Sequence, residues 1–583
     1  MSFASLAGAA GPRSLEPVST GVRRLLEKRH GWIAIALYVL GAIVIQRHAV
    51  AHITSNIAGN VVGDPPQFMW AMWWWPHAVI HLLNPFVSHA VWYPDSLDVA
   101  AATGVPLPAM LAAPITALAG PLVSYNLLNL LAPVLGAWFT YRLCLRLSGS
   151  PAAAILGGWL YGFSSYGLTE LQAHLHLVFT FAPPALLLLT VRRLQGEIGA
   201  RRYAILVAVV LIAQMGCSTE ILFTMTVLGV IALICGLSVS PLEARRAIVA
   251  LLPPLLGAYL IAGIVCAPYL YYAFTGPAFS TGIDHIYEAD LLSFAIPTSI
   301  TWLGANRFAG VSGGYVAGVT EVGTYVGLPG LIMLAGYGIE SWRRSAGARV
   351  LLLTTAIAAL LALGPFLSVD GQLTIDLPWK ALHGLPGFAE ALPVRLGMYV
   401  ELGAAIAAAC WLARPTRPSI RRWVLAALAV VFIFPNVNGT VLGTTKMTFD
   451  ETYTQLPFFT DGLYRRYLRP DEVVLPIPFG YNGASLLWQA QAHGYFRLAS
   501  GWFGNWPHDY FYDSVVQEMI AALPYSDPVA GMRSFFRRHD VGTVVIQDGL
   551  GGPWPSLMAQ LGLRAVPVGG VVVYRVPAGM RLG

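Results

Sequence analysis

Over most of its length the chain alternates long apolar blocks with short polar or basic stretches. Each block is about 20 residues, the length that crosses a hydrocarbon core of about 30 Å as a helix. Blocks at 31–48, 124–144, 150–168, 174–191, 203–218, 221–239, 248–272, 323–341, 349–367, 394–413 and 422–440 predict about eleven spans. The run VPLPAMLAAPITALAG at 105–120 is read as membrane-embedded or interfacial, because it is short and rich in proline. From about residue 441 the pattern becomes that of a soluble domain. Strand candidates are EVVLPI (472–477) and GTVVIQ (542–547), and LRAVPV and VVVYRV flank Gly569 and Gly570 as a hairpin would. Residues 528–539 and 554–562 read as helices. The expected fold class is a polytopic α-helical membrane protein with a C-terminal soluble α/β domain.

Charge placement orients these spans. Arg13, Arg23, Arg24, Lys28 and Arg29 precede the first one, which puts the N-terminus in the cytoplasm. With strict alternation, and with 105–120 not crossing, every loop rich in arginine falls inside: Arg142 with Arg146, Arg192 to Arg202, Arg245 with Arg246, Arg343 with Arg344, and Arg414 to Arg422. The expected organisation is a cytoplasmic basic segment (1–30), a membrane region (31–440) with long outer loops at 49–123 and 273–322, and an extracytoplasmic domain (441–583). In the first loop, MWAMWWWPHAVIHLL reads as an amphipathic stretch whose Trp and His side chains suit the membrane interface. No cleavable signal peptide is expected, so the first span would remain as an anchor.

Composition excludes some classes. Apolar residues make up 56% of the chain and charged residues 11%, too few charges for a soluble fold of this length. The net charge of +6 does not indicate nucleic-acid binding, since the arginines cluster between apolar blocks. Cys144, Cys217, Cys235, Cys266 and Cys410 lie in or beside apolar blocks without metal-type spacing, and there is no P-loop or dinucleotide fingerprint.

Chemistry is therefore sought at the outer surface. Asp64 in GDPPQF stands just beyond the first span, where Gly63, Pro65 and Pro66 fix a tight turn; it reads as a catalytic acid or as a helix cap. Glu220, Gln172, His174 and His176 fall at outer junctions of the membrane region, Glu321 at the outer edge of the eighth span, and His77 on the first outer loop; all are candidate substrate contacts. His174 and His176 are two residues apart and do not share a helical face, which argues against a metal site built on a helix. Arg395 in ALPVRLGMY breaks the positive-inside pattern and is suited to a lipid phosphate, or else to an ion pair with Glu390. The acidic group Asp284, His285, Glu288 and Asp290 reads as a solvated charge run. Trp502, Trp506, His508 and Tyr510 read either as a sugar-facing stretch or as core.

The string GDPPQFMWAMWWWPHAVIHLLNPF, followed by YPDS, resembles the first outer loop of bacterial integral-membrane glycosyltransferases of the GT-C superfamily. GFSSYGLTELQAHLHLVFTFAPPALLL, EVGTYVGLPG and LPWKALHGLPGFAEALPVRLGMYVEL are similar to later landmarks of the same group. The resemblance implies inverting transfer of a sugar from a polyprenyl-phosphate donor to a glycan or lipid-linked acceptor on the outer side of the bacterial cytoplasmic membrane. It implies an aspartate general base, which falls on Asp64, and a cation such as Arg395 to stabilise the departing phosphate. The family often writes this acid as part of an acidic pair, whereas Pro65 follows here. No cofactor is required, and a divalent cation is possible but not indicated. The rivals are a flippase for a lipid-linked saccharide, a lipid-linked-oligosaccharide ligase or polymerase, and a non-catalytic envelope-assembly protein.

Overall fold

The computed structural model describes residues 20–276, 287–317, 321–414, 419–442, 445–447, 449–504, 506–523 and 527–581, with no account of the side chains of 20–28, 440–448 and 508. Arg13, Asp284 and His285 lie outside the described residues, as do the side chains of Arg23, Arg24, Lys28 and His508. The chain is mostly helical and divides into two compact units. One comprises residues up to 47, 129–266 and 283–449; the other comprises 48–128, 267–282 and 450–583.

The first unit carries most of the apolar helices. Among the described residues of the whole chain, five helices are long and apolar enough to cross a membrane: Pro121–Ser148, Leu175–Leu194, Thr219–Val239, Leu242–Val265 and Pro393–Leu412. The blocks expected to span at 31–48 and 349–367 contain shorter apolar helices, Arg29–Ile45 and Ala346–Ala362. Helices Pro151–Gly162, Ala200–Met215, Gly327–Ser341 and Ile420–Phe432 likewise run 12 to 16 residues. Thr219–Val239 and Leu242–Val265 are buried over only 33% and 17% of their apolar windows. Val230, Ile234, Leu256, Leu260 and Ile264 lie open, a surface that suits lipid and not water. This is a multi-pass membrane protein.

Pro393–Leu412 is the opposite case, buried over 89% of its window. Its run GAAIAAAC is small at every position but Ile406, which lets Pro151–Gly162, Gly327–Ser341 and Ala346–Ala362 pack against it. Elsewhere in this unit Gly158 does the same. A Cβ there would lie 2.1 Å from the Tyr38 hydroxyl and 2.6 Å from the Ala137 carbonyl oxygen.

In the second unit the first long loop and the C-terminal segment are woven together, so the division expected at residue 441 is drawn differently. Asn56–Ala58 pairs antiparallel with Asp450–Thr452. Val473–Ile477 and Thr543–Gln547 are parallel neighbours in a five-stranded sheet. Arg497–Leu498 adds in parallel at one edge, and the hairpin Ala565–Val568/Val571–Arg575 adds antiparallel at the other. Gly569 and Gly570 form the hairpin turn, both with positive φ. The backbone of Tyr93 and Trp92 bonds to Leu498 and Ser500 beside this sheet.

Helix Pro65–Ile80 corrects the reading of MWAMWWWPHAVIHLL as an interfacial amphipath. Trp70, Trp73, Trp74 and Trp75 are all buried. Trp70 stacks on Trp74 at 5.3 Å, meets Phe503 edge-on at 5.2 Å and donates to Gln489 Oε1 at 2.7 Å. Trp74 and Trp75 donate to the carbonyls of Pro85 and Gly104. The indole N–H groups of Trp70, Trp74 and Trp75 thus have internal acceptors, which is the condition for burying such rings. The apolar residues left exposed come afterwards, at Val79, Ile80, Leu82 and Leu83. The segment expected to be embedded forms the 14-residue helix Pro106–Ala119, about 21 Å long at 1.5 Å per residue.

Gly158→Leu forces a side chain into the Tyr38 contact and is expected to cost about 1–3 kcal/mol. It will lower the thermal midpoint of the detergent-solubilised protein, whereas Gly229→Leu, with nothing within 4 Å of its Cβ position, will leave the midpoint unchanged.

Candidate functional site

Two sets of polar residues stand out, one in each unit. In the second unit Asp64 occupies the position before helix Pro65–Ile80. A capping aspartate accepts from the N–H of the second or third helical residue. Pro65 and Pro66 have no N–H to give, and the N–H of Gln67 goes to the Asp64 carbonyl at 3.0 Å. The side chain makes no cap bond; its Oδ1 instead accepts the Trp502 Nε1–H at 2.7 Å. The turn is held from the same side, since Gly63 N–H donates to the Tyr481 carbonyl at 2.9 Å.

His77 lies 13 residues further along the same helix, about 20 Å from Asp64 at 1.5 Å per residue. Its ring packs against Trp73 at 4.8 Å and His81 at 4.2 Å. Burial, together with His81 and His493, holds its imidazole below the usual range. It is therefore neutral at pH 7 and supplies no charge for a phosphate. The stretch after residue 500 divides in two: Trp506 and Tyr510 are core, while Trp502 is half-buried beside Asp64.

The first unit gathers Glu170, His174, Glu220, Glu321 and Arg395. Arg395 lies in the first turn of the buried helix Pro393–Leu412. Its Nε and Nη2 donate to the two oxygens of Glu321 at 3.0 and 2.7 Å, a bidentate pair, and its Nη1 donates to Glu220 Oε2 at 2.5 Å. Neither the expected ion pair with Glu390 nor an open phosphate site is what the residues make: the guanidinium is already shared between two carboxylates. Glu220 Oε1 also accepts the Leu392 N–H at 3.3 Å, which ties the helix start Thr219–Val239 to that turn.

His174 extends the network. Its Nδ1 bonds Glu170 Oε2 at 2.6 Å, and its Nε2 lies 3.7 Å from Glu321 Oε1. Glu170 ends the short helix Ser165–Glu170, which is buried throughout. The Glu321 segment reaches it because Gly323 packs directly on the backbone of Tyr166, where a Cβ would be 2.6 Å from the Tyr166 Cα. Burial would raise Glu321, but Arg395 and His174 hold its carboxyl below the usual carboxylate range. Glu170 goes the other way, pushed up by burial and by the neighbouring Glu321 charge. The pair shares its ionisation, with the charge resting on the member that Arg395 holds.

Around this network the polar lining is dense. Ser165 Oγ, Thr169 Oγ1, Glu170 Oε1 and both amide atoms of Gln172 are buried with no protein partner among the described residues. Leaving such an atom unsatisfied costs about 1–3 kcal/mol, so each of these atoms calls for a polar partner. His176 is buried next to His174, with ring centroids 6.1 Å apart. One ligand atom each from Glu170, His174 and Glu321 lies within 4.8 Å of the others, close enough to hold a cation. Those atoms are at present engaged with one another and with Arg395.

The acidic group after residue 283 is partly structural. Asp290 accepts from Ser368 Oγ at 2.8 Å and from the N–H groups of Leu292 and Gly371 at 2.9 Å, which anchors the hairpin Phe366–Asp376. Glu288 is buried and pushed up to about 7 by desolvation, so neither is the solvated charge that the sequence suggests.

Two further residues carry this geometry. Glu401 accepts the Tyr166 N–H at 3.1 Å and so holds the start of Ser165–Glu170; its mid-block position in MYVELGAA was the available signal. Trp502 was seen as part of an aromatic stretch, but nothing local links it to residue 64.

This fold is shared by solved arabinofuranosyltransferase and oligosaccharyltransferase structures. No protein-family model matches the chain, and no curated protein matches it in sequence. Solved structures do share its fold. Arabinofuranosyltransferase AftD from Mycobacteria superposes in two cryo-EM classes with TM-scores of 0.58 and 0.56, at 16% and 17% identity, covering 95% and 94% of this chain. The Archaeoglobus fulgidus oligosaccharyltransferase in its apo form superposes with a TM-score of 0.51 at 12% identity, covering 95% of this chain and 75% of its own. The chain spans only 42% of the length of the mycobacterial protein.

Replacing Arg395 by Met strands buried carboxylates, a loss of about 3–5 kcal/mol. In the wild type Glu321 is depressed, so its contribution is present above the unfolded value of about 4.3 and is lost as pH falls through the folded value. Without Arg395 the folded value rises, and stability is then lost as pH increases. Thermal unfolding of both proteins at pH 5 and pH 8 will show a wider gap at pH 8.

Proposed function

We propose that this chain is a membrane glycosyltransferase that moves a sugar from a polyprenyl-phosphate donor to a glycan or lipid-linked acceptor. The observation that carries the reading is the Asp64 carboxylate. It is fixed at a proline-locked turn, is not used to cap the helix that follows, and belongs to a chain of GT-C fold. Asp64 takes the proton of the acceptor hydroxyl. The oxygen attacks the anomeric carbon, and the bond from that carbon to the phosphate oxygen breaks on the opposite face, with the electron pair leaving on the polyprenyl phosphate. The configuration inverts. Geometry and orientation supply much of the rate, since a polyprenyl phosphate is already a good leaving group.

Within the first unit Arg395 holds Glu220 and Glu321 in place, and His174 ties Glu321 to Glu170. This replaces the direct Arg395–phosphate contact, because a phosphate brought to that guanidinium would meet Glu220 and Glu321. The reaction takes place on the outer side of a bacterial cytoplasmic membrane, with the N-terminus inside and the C-terminal segment outside, as the arginine-rich loops favour. No cofactor is required. An arabinofuranosyl donor is the first to try, on the likeness to AftD.

The test is transfer by purified protein from a panel of radiolabelled polyprenyl-phosphate sugars to a membrane glycan extract. Asp64→Asn is expected to lose at least 100-fold in rate, the low end of what a general base contributes, while it stays folded and membrane-inserted. Transfer at the parental rate would remove Asp64 from the mechanism. In the same assay, exhaustive chelation is expected to leave transfer unchanged; its abolition, restored by a divalent ion, would instead assign Glu170, His174 and Glu321 to a metal.

A further inference from the structure

We infer that Tyr481 and Trp502 form a carbohydrate platform beside Asp64, on which the ring of the acceptor sugar lies while one of its hydroxyls faces the carboxylate. The acceptor assignment rests on the general-base reading; the platform itself rests on geometry. Trp502 is tied to Asp64 by its indole N–H at 2.7 Å, and Tyr481 is tied to the same turn through its carbonyl, which accepts from Gly63 at 2.9 Å. The two rings meet edge to face with centroids 5.2 Å apart. Behind them Trp506, 5% exposed, packs on Trp502 at 5.2 Å and stacks on Phe479 at 5.8 Å with the rings 8° from parallel.

The aromatic stack therefore runs from the core of the unit to its surface and ends at a tyrosine that is 38% exposed. An aromatic ring is a large apolar payload, normally buried when a site exists to bury it. Here the backing Trp506 and Phe479 are buried, whereas the outermost ring is exposed on a residue whose backbone is tied to the turn that carries Asp64. Such a surface pairs an apolar flat face with a fixed hydrogen-bond acceptor. A neutral sugar ring has the complementary form, with C–H bonds on its face and hydroxyls on its rim. A lipid phosphate does not, because the carboxylate repels it, and an alkyl chain offers the carboxylate no hydroxyl.

The experiment is saturation-transfer difference NMR on the full-length protein in lipid nanodiscs. The probes are methyl α-D-arabinofuranoside, methyl α-D-mannopyranoside and methyl β-D-glucopyranoside. The wild type is expected to saturate the ring C–H protons of at least one of them. Tyr481→Phe, which keeps the ring, will retain that signal, and Tyr481→Leu, which keeps bulk without a flat face, will lose it at least fivefold. Trp502→Phe will retain most of it, since an aromatic face stays although the indole's second ring and its N–H are lost. The platform is overturned if the wild type saturates none of the glycosides, or if Tyr481→Leu, melting like the wild type, saturates them equally. Because binding is read without turnover, an active Asp64→Asn enzyme would refute the general base while the Tyr481 dependence still decided the platform.

Discussion

The aspartate before two prolines does not cap the helix it precedes. The first two helical positions lack an N–H, and the third gives its proton to the backbone of the aspartate itself. Asp64 is thereby freed from the commonest structural use of its residue type, while Pro65 and Pro66 prevent the turn from relaxing. The indole of Trp502 then sets the carboxylate's direction across 438 residues of sequence. The Asn56–Ala58 strand, the buried tryptophans of Pro65–Ile80 and the fold of 450–583 around them all hold that turn in place.

The second polar set obeys a different constraint. Charges in apolar surroundings persist only when paired, and Arg395 is the pivot: it engages both oxygens of Glu321 and one oxygen of Glu220, while His174 bridges Glu321 to Glu170. Such a network costs more to break than it contributes in isolation, which makes it a rigid reference frame and not a source of stability. The small residues of Pro393–Leu412 permit this, since they let surrounding helices close around the arginine. Glu401, one turn beyond Arg395 and some, fixes the start of the helix that ends at Glu170.

Much of the fold was legible because its signals are local. Apolar block length reported the membrane region, and alternation with a Gly-Gly turn reported the final hairpin. The same local logic located Asp64, Glu220, Glu321 and Arg395 as polar residues out of place at span edges. It could not report partners. Arg395 meets Glu220 and Glu321 across 175 and 74 residues, and the nearer Glu390 does not take part. Nor could it say which way the tryptophans of MWAMWWWPHAVIHLL face. That depends on acceptors such as Gln489, which the C-terminal segment supplies. The shorter helices at 151–162 and 420–432 mark a further limit, because block length counts apolar residues and not where helical geometry stops.

The central claim is that Asp64 handles the acceptor proton. The most direct measurement is a cryo-EM structure of the full-length protein with a non-transferable phosphonate analogue of a polyprenyl-phosphate sugar and an acceptor glycoside. The account predicts an acceptor hydroxyl within about 2.6–3.2 Å of an Asp64 oxygen, in line with the anomeric carbon. An acceptor bound with its nucleophilic hydroxyl on another carboxylate, and Asp64 engaged only by Trp502, would contradict it.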